Sequence, residues 1–122
     1  MKLMTKEIEE KLLAAPIGSK DGQGMDAEVI VKYFNPVGAG SWYILEGEKQ
    51  DDGDWLLYGL CSIFETEYGY VLLSELENLR LPFGLTIERD LYSKGTLGDF
   101  CKHELGYAVE DVEEPEEDGD ER

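Results

Sequence analysis

Four runs in the middle of the chain either alternate apolar and polar residues or stay apolar, and β-branched and aromatic side chains dominate them. Runs of this kind, bounded by glycine, asparagine and proline, are typical of β-strands. The predicted strands are Ala27–Phe34, Ser41–Glu48, Trp55–Phe64 and Tyr68–Leu73. Because the connections between them are short, neighbouring strands are expected to pair antiparallel as a meander.

Helical patterns lie on both sides of these strands. Thr5 is placed to cap a first helix through about Ala15, and Pro16 stops it. After the strands, Ser74 and Glu77 have the spacing of a capping box, in which Ser74 caps the helix and Glu77 reaches back. The sequence therefore predicts one helix before the sheet and a short one after it.

Two more elements are predicted after Pro82. Leu85–Leu91 alternates like a fifth strand, and Thr96 with Asp99 can cap a last helix through about His103. The predicted fold class is therefore α+β. It consists of an antiparallel β-meander of four to five strands, with the N-terminal helix and two short C-terminal helices packed on one face.

The composition divides the chain into two parts. Its 122 residues hold 28 acidic and 11 basic side chains, for a net charge of −17. Residues 110–122 contain nine acids and one arginine, so they account for −8 and leave −9 for the rest. We expect a single globular domain over residues 1–108 and an acidic, disordered tail over residues 109–122.

Seven stretches, taken in their order along the chain, resemble those of a known protein family. They are Gly22–Gly24, Val31–Pro36, Trp42–Glu46, Tyr58–Leu60, Glu67–Tyr70, Leu73–Leu76 and Phe83–Leu91. In this order, over roughly residues 3–95, the chain resembles the DUF2958 family, although Thr86 stands where the family usually has proline. The resemblance implies a small protein of bacteria, plasmids, phages or other mobile elements. It supplies no catalytic residues.

The acidity favours a protein partner with a basic surface over nucleic acid or an anionic membrane, because phosphate binding requires basic patches. We expect a non-enzymatic binding or regulatory module without a cofactor, which is a monomer or weak homodimer. A sharper hypothesis is a DNA-mimicking inhibitor of a host or defence protein, although solubility alone explains the charge nearly as well. The residues assigned to partner binding are Glu46, Glu48, Asp51, Asp52, Asp54, Glu65, Glu67, Glu88, Asp90, Trp42 and Tyr68.

An alternative is an accessory enzyme or metal-binding domain. Its carboxylate cluster would consist of Glu67, Glu75, Glu88 and Asp90, with one pKa raised by burial. The acids of the loop before Trp55 lack the register of a calcium loop, and Asp52-Gly53 predicts a hairpin tip instead. No zinc site is predicted from Cys101 and His103 alone.

The two cysteines and the start of the chain indicate where the protein acts. Cys61 and Cys101 are interpreted as free, buried thiols of a reducing compartment. The N-terminal residues show no apolar signal region, and no apolar run reaches the length of a membrane span. These features predict a cytoplasmic protein.

Overall fold

The strands form one antiparallel sheet in a computed structural model that describes residues 2–92 and 94–105. They are β1 (Val31–Phe34), β2 (Ser41–Lys49), β3 (Trp55–Ser62), β4 (Thr66–Leu72) and β5 (Glu88–Arg89). The sheet order is β4-β3-β2-β1-β5, so β5 adds beside β1 rather than after β4. The predicted α+β class and the antiparallel meander are confirmed.

Three short helices accompany the sheet, and they cover both of its faces. They are α1 (Lys6–Leu13), α2 (Leu73–Glu77) and α3 (Leu97–Phe100), the last continued by a π-helical turn over Cys101–Leu105. On the first face, Ile44 of β2 packs in one cluster with residues of α1 and α2. On the second face, Tyr43 packs with Phe100 of α3. The prediction that all helices lie on one face is therefore wrong for α3.

A β-bulge in β2 changes which side chains face each side of the sheet. Leu45 is the extra residue, because Ile44 and Glu46 occupy consecutive pairing positions opposite β3. The bulge returns Gly47 to the first face, where an added Cβ would lie 3.0 Å from Leu12 Cδ2. Glu46 is consequently turned toward the second face, and its surroundings are described below.

Two of the three predicted helix caps are confirmed. Ile8 N donates to Thr5 Oγ1 over 3.1 Å at the start of α1. Thr96 and Asp99 form the reciprocal capping box of α3, with distances of 3.0 and 3.2 Å. In both helices a side-chain oxygen accepts from a backbone N–H that has no partner inside the helix.

The predicted capping role of Ser74 is wrong. The N-cap of α2 is Leu72, whose backbone N–H donates to Glu75 Oε1 over 2.8 Å. The Ser74 hydroxyl instead donates to Asp54 Oδ2 over 2.5 Å. Asp54 lies twenty residues earlier in the chain, so a tertiary contact replaces the local cap that the spacing of Ser74 and Glu77 predicted.

The edge of the sheet beside β1 is less regular than predicted. Residues 27–30 precede β1 as a single bridge between Glu28 and Thr96 rather than as continuous strand. The predicted fifth strand shrinks to Glu88–Arg89. The predicted tail over residues 109–122 lies outside the described residues, as does the boundary at residue 108.

Candidate functional site

Glu46, which the sequence assigned to an acidic binding surface, is buried. Only 2% of it is exposed, and it is the one buried charged residue in the described part of the chain. Its carboxylate oxygens accept from Gly18 N and Lys20 N, each over 2.8 Å. Burial lowers the pKa of the Lys20 ammonium, and the carboxylates of Glu28 and Glu46 oppose that shift. Glu46 therefore holds the loop at Gly18 and Lys20 in place. Its assignment to the exposed binding surface is wrong.

The assignment of Trp42 to the partner-binding surface is also wrong, because Trp42 is only 7% exposed and belongs to the core of the first face. The apolar run from Trp42 to Leu45 was a sequence signal for this burial. Its burial follows from the position of β2 in the middle of the sheet, where both faces are covered. Trp42 instead contributes to the inner lining of a cleft described below.

Asp54 is also engaged inside the protein. Its Oδ1 accepts from Trp55 N over 2.8 Å and from Ser74 N over 3.1 Å, while Oδ2 accepts from the Ser74 hydroxyl. The hydrogen bond from the Ser74 side chain, with those from the two backbone groups, lowers the pKa of Asp54. Asp54 thus joins the start of β3 to α2, and its oxygens are not free for a partner.

The other acids assigned to partner binding lie at several separate places. Glu48, Asp51 and Asp52 are exposed at the tip of the β2–β3 hairpin, which confirms the predicted turn. Glu65 and Glu67 are exposed near the β3–β4 turn, at the opposite end of these strands. These five residues therefore occupy two ends of the sheet rather than one continuous acidic face.

The carboxylate cluster of the alternative hypothesis does not assemble. Glu67 lies on β4 and Glu88 on β5, at the two opposite edges of the sheet. Four strand spacings of about 4.8 Å each put these edges about 19 Å apart. Asp90 follows β5 and accepts from Tyr92 N over 2.9 Å. No group of three potential metal ligands occurs in residues 2–92 and 94–105.

The surface that does bring predicted residues together is a cleft between α2 and the outer part of the sheet, here called the α2 cleft. Its volume is about 370 Å³. Glu67 and Glu75, both exposed, border it. Apolar and small side chains provide the rest of its lining, among them Cys61, Val71, Leu76 and Leu79.

Glycine in β4 leaves the cleft open. Gly69 pairs with Gly59 of β3, so neither strand places a side chain at this point of the sheet. A Cβ added at Gly69 would meet only Cys61 Sγ, at 3.9 Å. A glycine between two tyrosines in a strand was therefore a sequence signal for the cleft, since interior strand glycines often mark space for another group.

Exposed apolar side chains continue the cleft onto the protein surface. Ile63 is 43% exposed and Leu79 is 40% exposed, and both line it. On the second face of the sheet, behind the cleft, Tyr70 is 58% exposed and packs its ring 4.8 Å from that of Tyr58, and the ring of Tyr68 stacks on Tyr58 at 6.1 Å. Tyr68 is half-buried, so it supports this aromatic row more than it contributes to the surface.

Neither cysteine has the properties of a nucleophile. Burial and the nearby Glu67 carboxylate raise the pKa of the Cys61 thiol to about 11, and burial raises the pKa of Cys101. Both thiols are therefore protonated at neutral pH. Cys61 packs against the core of the first face and Cys101 belongs to that of the second, so the sheet separates them. Both are free, as predicted.

The protein is a small α+β domain with a five-stranded antiparallel sheet that is covered by helices on both faces. The α2 cleft lies at one edge of this sheet. The chain belongs to the family described as "Protein of unknown function (DUF2958)", whose family model matches residues 3–102. The resemblance read from the sequence is thereby confirmed. No curated protein and no solved structure matches this chain. Within the described residues, no helix has the length and apolar character needed to cross a membrane.

Proposed function

We propose that this protein is a non-enzymatic binding module that uses the α2 cleft to bind a protein partner with a basic surface. The observation that carries the proposal is the juxtaposition of an apolar, solvent-open cleft with the exposed carboxylates of Glu67 and Glu75. Apolar clefts with few polar groups at the border are typical binding sites. The carboxylates select for lysine or arginine in the partner.

The position of β4 supports a partner that binds as an extended segment. β4 is the outermost strand of the sheet, and no described strand pairs with its free edge. Such an edge offers backbone N–H and C=O groups to an incoming strand, while alternate side chains of that strand give specificity. An aliphatic side chain of the partner would fill the space above Gly69, and a neighbouring basic side chain would meet Glu67.

The distribution of the acids favours this local site over an extended imitation of DNA. A mimic requires carboxylates along one exposed face, whereas Glu46 and Asp54 are engaged internally and the remaining acids occupy separate parts of the sheet. The setting of the proposal stays that implied by the family resemblance, a bacterial protein carried by mobile elements, together with the cytoplasmic location predicted from the cysteines and the N-terminal residues. Its partner would then be a protein of the host cell.

The test is affinity capture of bacterial lysate proteins by the full-length chain, its Gly69→Val and Glu67→Lys variants, and a Glu10→Lys control. Valine at position 69 fills the cleft without meeting backbone, and Glu10 is an exposed residue of α1 far from it along the chain. We expect a protein that the wild type and the control retain at low salt and that both cleft variants lose. High salt should weaken its capture.

Two outcomes would contradict the proposal. Capture of no protein by the wild type at any salt concentration would argue against a binding module. Equal retention of the partner by Gly69→Val and by the wild type would place the binding site outside the α2 cleft. Thermal unfolding of each variant checks that a lost interaction does not come from a lost fold.

A further inference from the structure

The basic residues of this acidic chain are concentrated in one recess. Five of its eleven lysines and arginines line a recess of about 510 Å³ at the β5 edge of the sheet, opposite to the α2 cleft. They are Lys6, Lys11, Lys32, Arg89 and Lys94. We refer to this feature as the basic recess.

The recess lies between two backbone contacts that the chain after β5 makes with residues 29–32. After β5 the last backbone contact joins Asp90 N to Lys32 O over 3.0 Å. The next joins Val29 N to Gly95 O, also over 3.0 Å. Between these two contacts, Ile30, which precedes β1, lines the recess, and residues of α1 line it as well.

Two of the five basic side chains are held by contacts within the protein, and the other three are exposed to a ligand. Lys32 Nζ lies 2.7 Å from Glu104 Oε1 and above the ring of Phe34, so it is held in the structure. The Arg89 guanidinium, which lines the recess, donates to the Lys2 carbonyl oxygen. The Lys32 ammonium also lies over the ring of Tyr43, on the second face of the sheet, so Arg89 is the one of these two whose charge stays beside the recess.

The remaining three lysines are exposed and can turn toward a ligand. Lys11 has only a 3.7 Å ion pair with Glu7, and their side chains are 48% and 76% exposed. Such surface pairs contribute little. Lys6 and Lys94 have no ion pair among the residues that the structure describes. They come from α1 and from the segment after β5, so both sides of the recess present a free ammonium group.

The charges of the lining limit the kind of ligand. Glu7, Glu28 and Asp90 also line the recess, and Glu104 pairs with Lys32, so the five cations exceed these four anions by one. Residues 1–109 as a whole carry −9. A long polyanion such as nucleic acid would meet that surrounding negative charge, whereas a compact anion would contact the lysines at the rim. The volume lies within the range of about 300–1,000 Å³ that is typical of small-molecule sites.

We infer that the basic recess binds a compact polyanion bearing phosphate or carboxylate groups. Lys6, Lys11 and Lys94 contact its negative charges, Arg89 adds a further positive charge, and Val29, Ile30 and Val31 form part of the apolar lining. This site is independent of the α2 cleft, because it uses the opposite edge of the sheet and the opposite sign of charge.

The test is calorimetric titration of the full-length protein at low salt with inorganic pyrophosphate and, separately, with citrate. The variant is the double substitution Lys6→Gln and Lys94→Gln. The control is Lys49→Gln, which removes a lysine at the end of β2 that pairs with Glu9 and does not line the recess. We expect saturable binding of at least one of the two anions, a loss of tenfold or more in the double variant, and no such loss in the control.

Comparison of the two anions distinguishes a phosphate ligand from a carboxylate ligand. Tighter binding of pyrophosphate assigns a phosphate ligand, and tighter binding of citrate assigns a polycarboxylate. Absence of saturable binding of either anion would overturn the inference. A Lys49→Gln control that loses as much affinity per removed charge as the double variant would also overturn it, because the effect would then reflect net charge alone.

Discussion

The burial of single residues in this protein depends on tertiary contacts that the neighbouring residues in the sequence do not reveal. Glu46 and Glu48 are two positions apart in β2, yet one is buried and the other is exposed. The difference arises because the loop around Gly18 folds over Glu46 and directs two backbone N–H groups at its carboxylate. Charge-assisted hydrogen bonds of this kind are about twice as strong as neutral ones.

Replacing Glu46 by Gln should destabilise the protein by about 2–3 kcal/mol, whereas Glu48→Gln should change stability by less than about 0.5 kcal/mol. Gln keeps one acceptor oxygen but turns an NH₂ group toward a backbone donor. Urea unfolding measures both free energies. Equal stabilities of the two variants would show that Glu46 does not hold the loop.

At the scale of secondary structure, the paired glycines of β3 and β4 have different roles. Gly59 lies where β2 approaches most closely: a Cβ there would stand 1.9 Å from the Tyr43 carbonyl oxygen. Gly69, directly opposite, has open space in front of it. Gly59 is therefore required by the bulged β2–β3 pairing, and Gly69 is required only by the α2 cleft.

Alanine substitutions separate these roles. Gly59→Ala should destabilise the fold by about 3 kcal/mol or more, because backbone must move to admit the methyl group. Gly69→Ala should leave stability unchanged or raise it by up to about 1 kcal/mol, since alanine loses less conformational entropy on folding. Denaturant unfolding compares the two. A Gly59→Ala protein as stable as wild type would contradict the close approach of β2 and β3.

At the scale of the whole molecule, β2 connects two hydrophobic cores. Trp42 and Ile44 face the core with α1 and α2, while Tyr43 and Leu45 face the core with α3. Because one strand supplies both cores, neither face can lose its packing without disturbing the other. We therefore expect the described domain to unfold as one cooperative unit.

Truncation on either face tests this coupling. Leu12→Ala on the first face and Phe100→Ala on the second should each destabilise the protein by about 2–5 kcal/mol. Both variants should keep a single unfolding transition that is the same by tryptophan fluorescence and by circular dichroism. Two separate transitions in the Phe100→Ala variant would show that α3 and its core fold independently of the rest.

Sequence patterns were sufficient to predict the fold class, the meander, the hairpin tip at Asp52 and the caps at Thr5 and Thr96. These features depend on alternation, turn residues and hydrogen bonds within a few positions, all of which are local. The apolar run from Trp42 to Leu45 also carried the sign of a strand buried on both faces. It did not show which helix would cover which face.

Features that depend on residues far apart in the chain could not be predicted, because they require the three-dimensional packing. Asp54 took the hydroxyl of Ser74 away from its predicted cap, the loop at Gly18 buried Glu46, and the sheet order separated Glu67 from Glu88. The same order placed the α2 cleft and the basic recess at opposite edges. Charge and composition are sums over the chain, so they could predict an acidic protein but not where its carboxylates and lysines would meet.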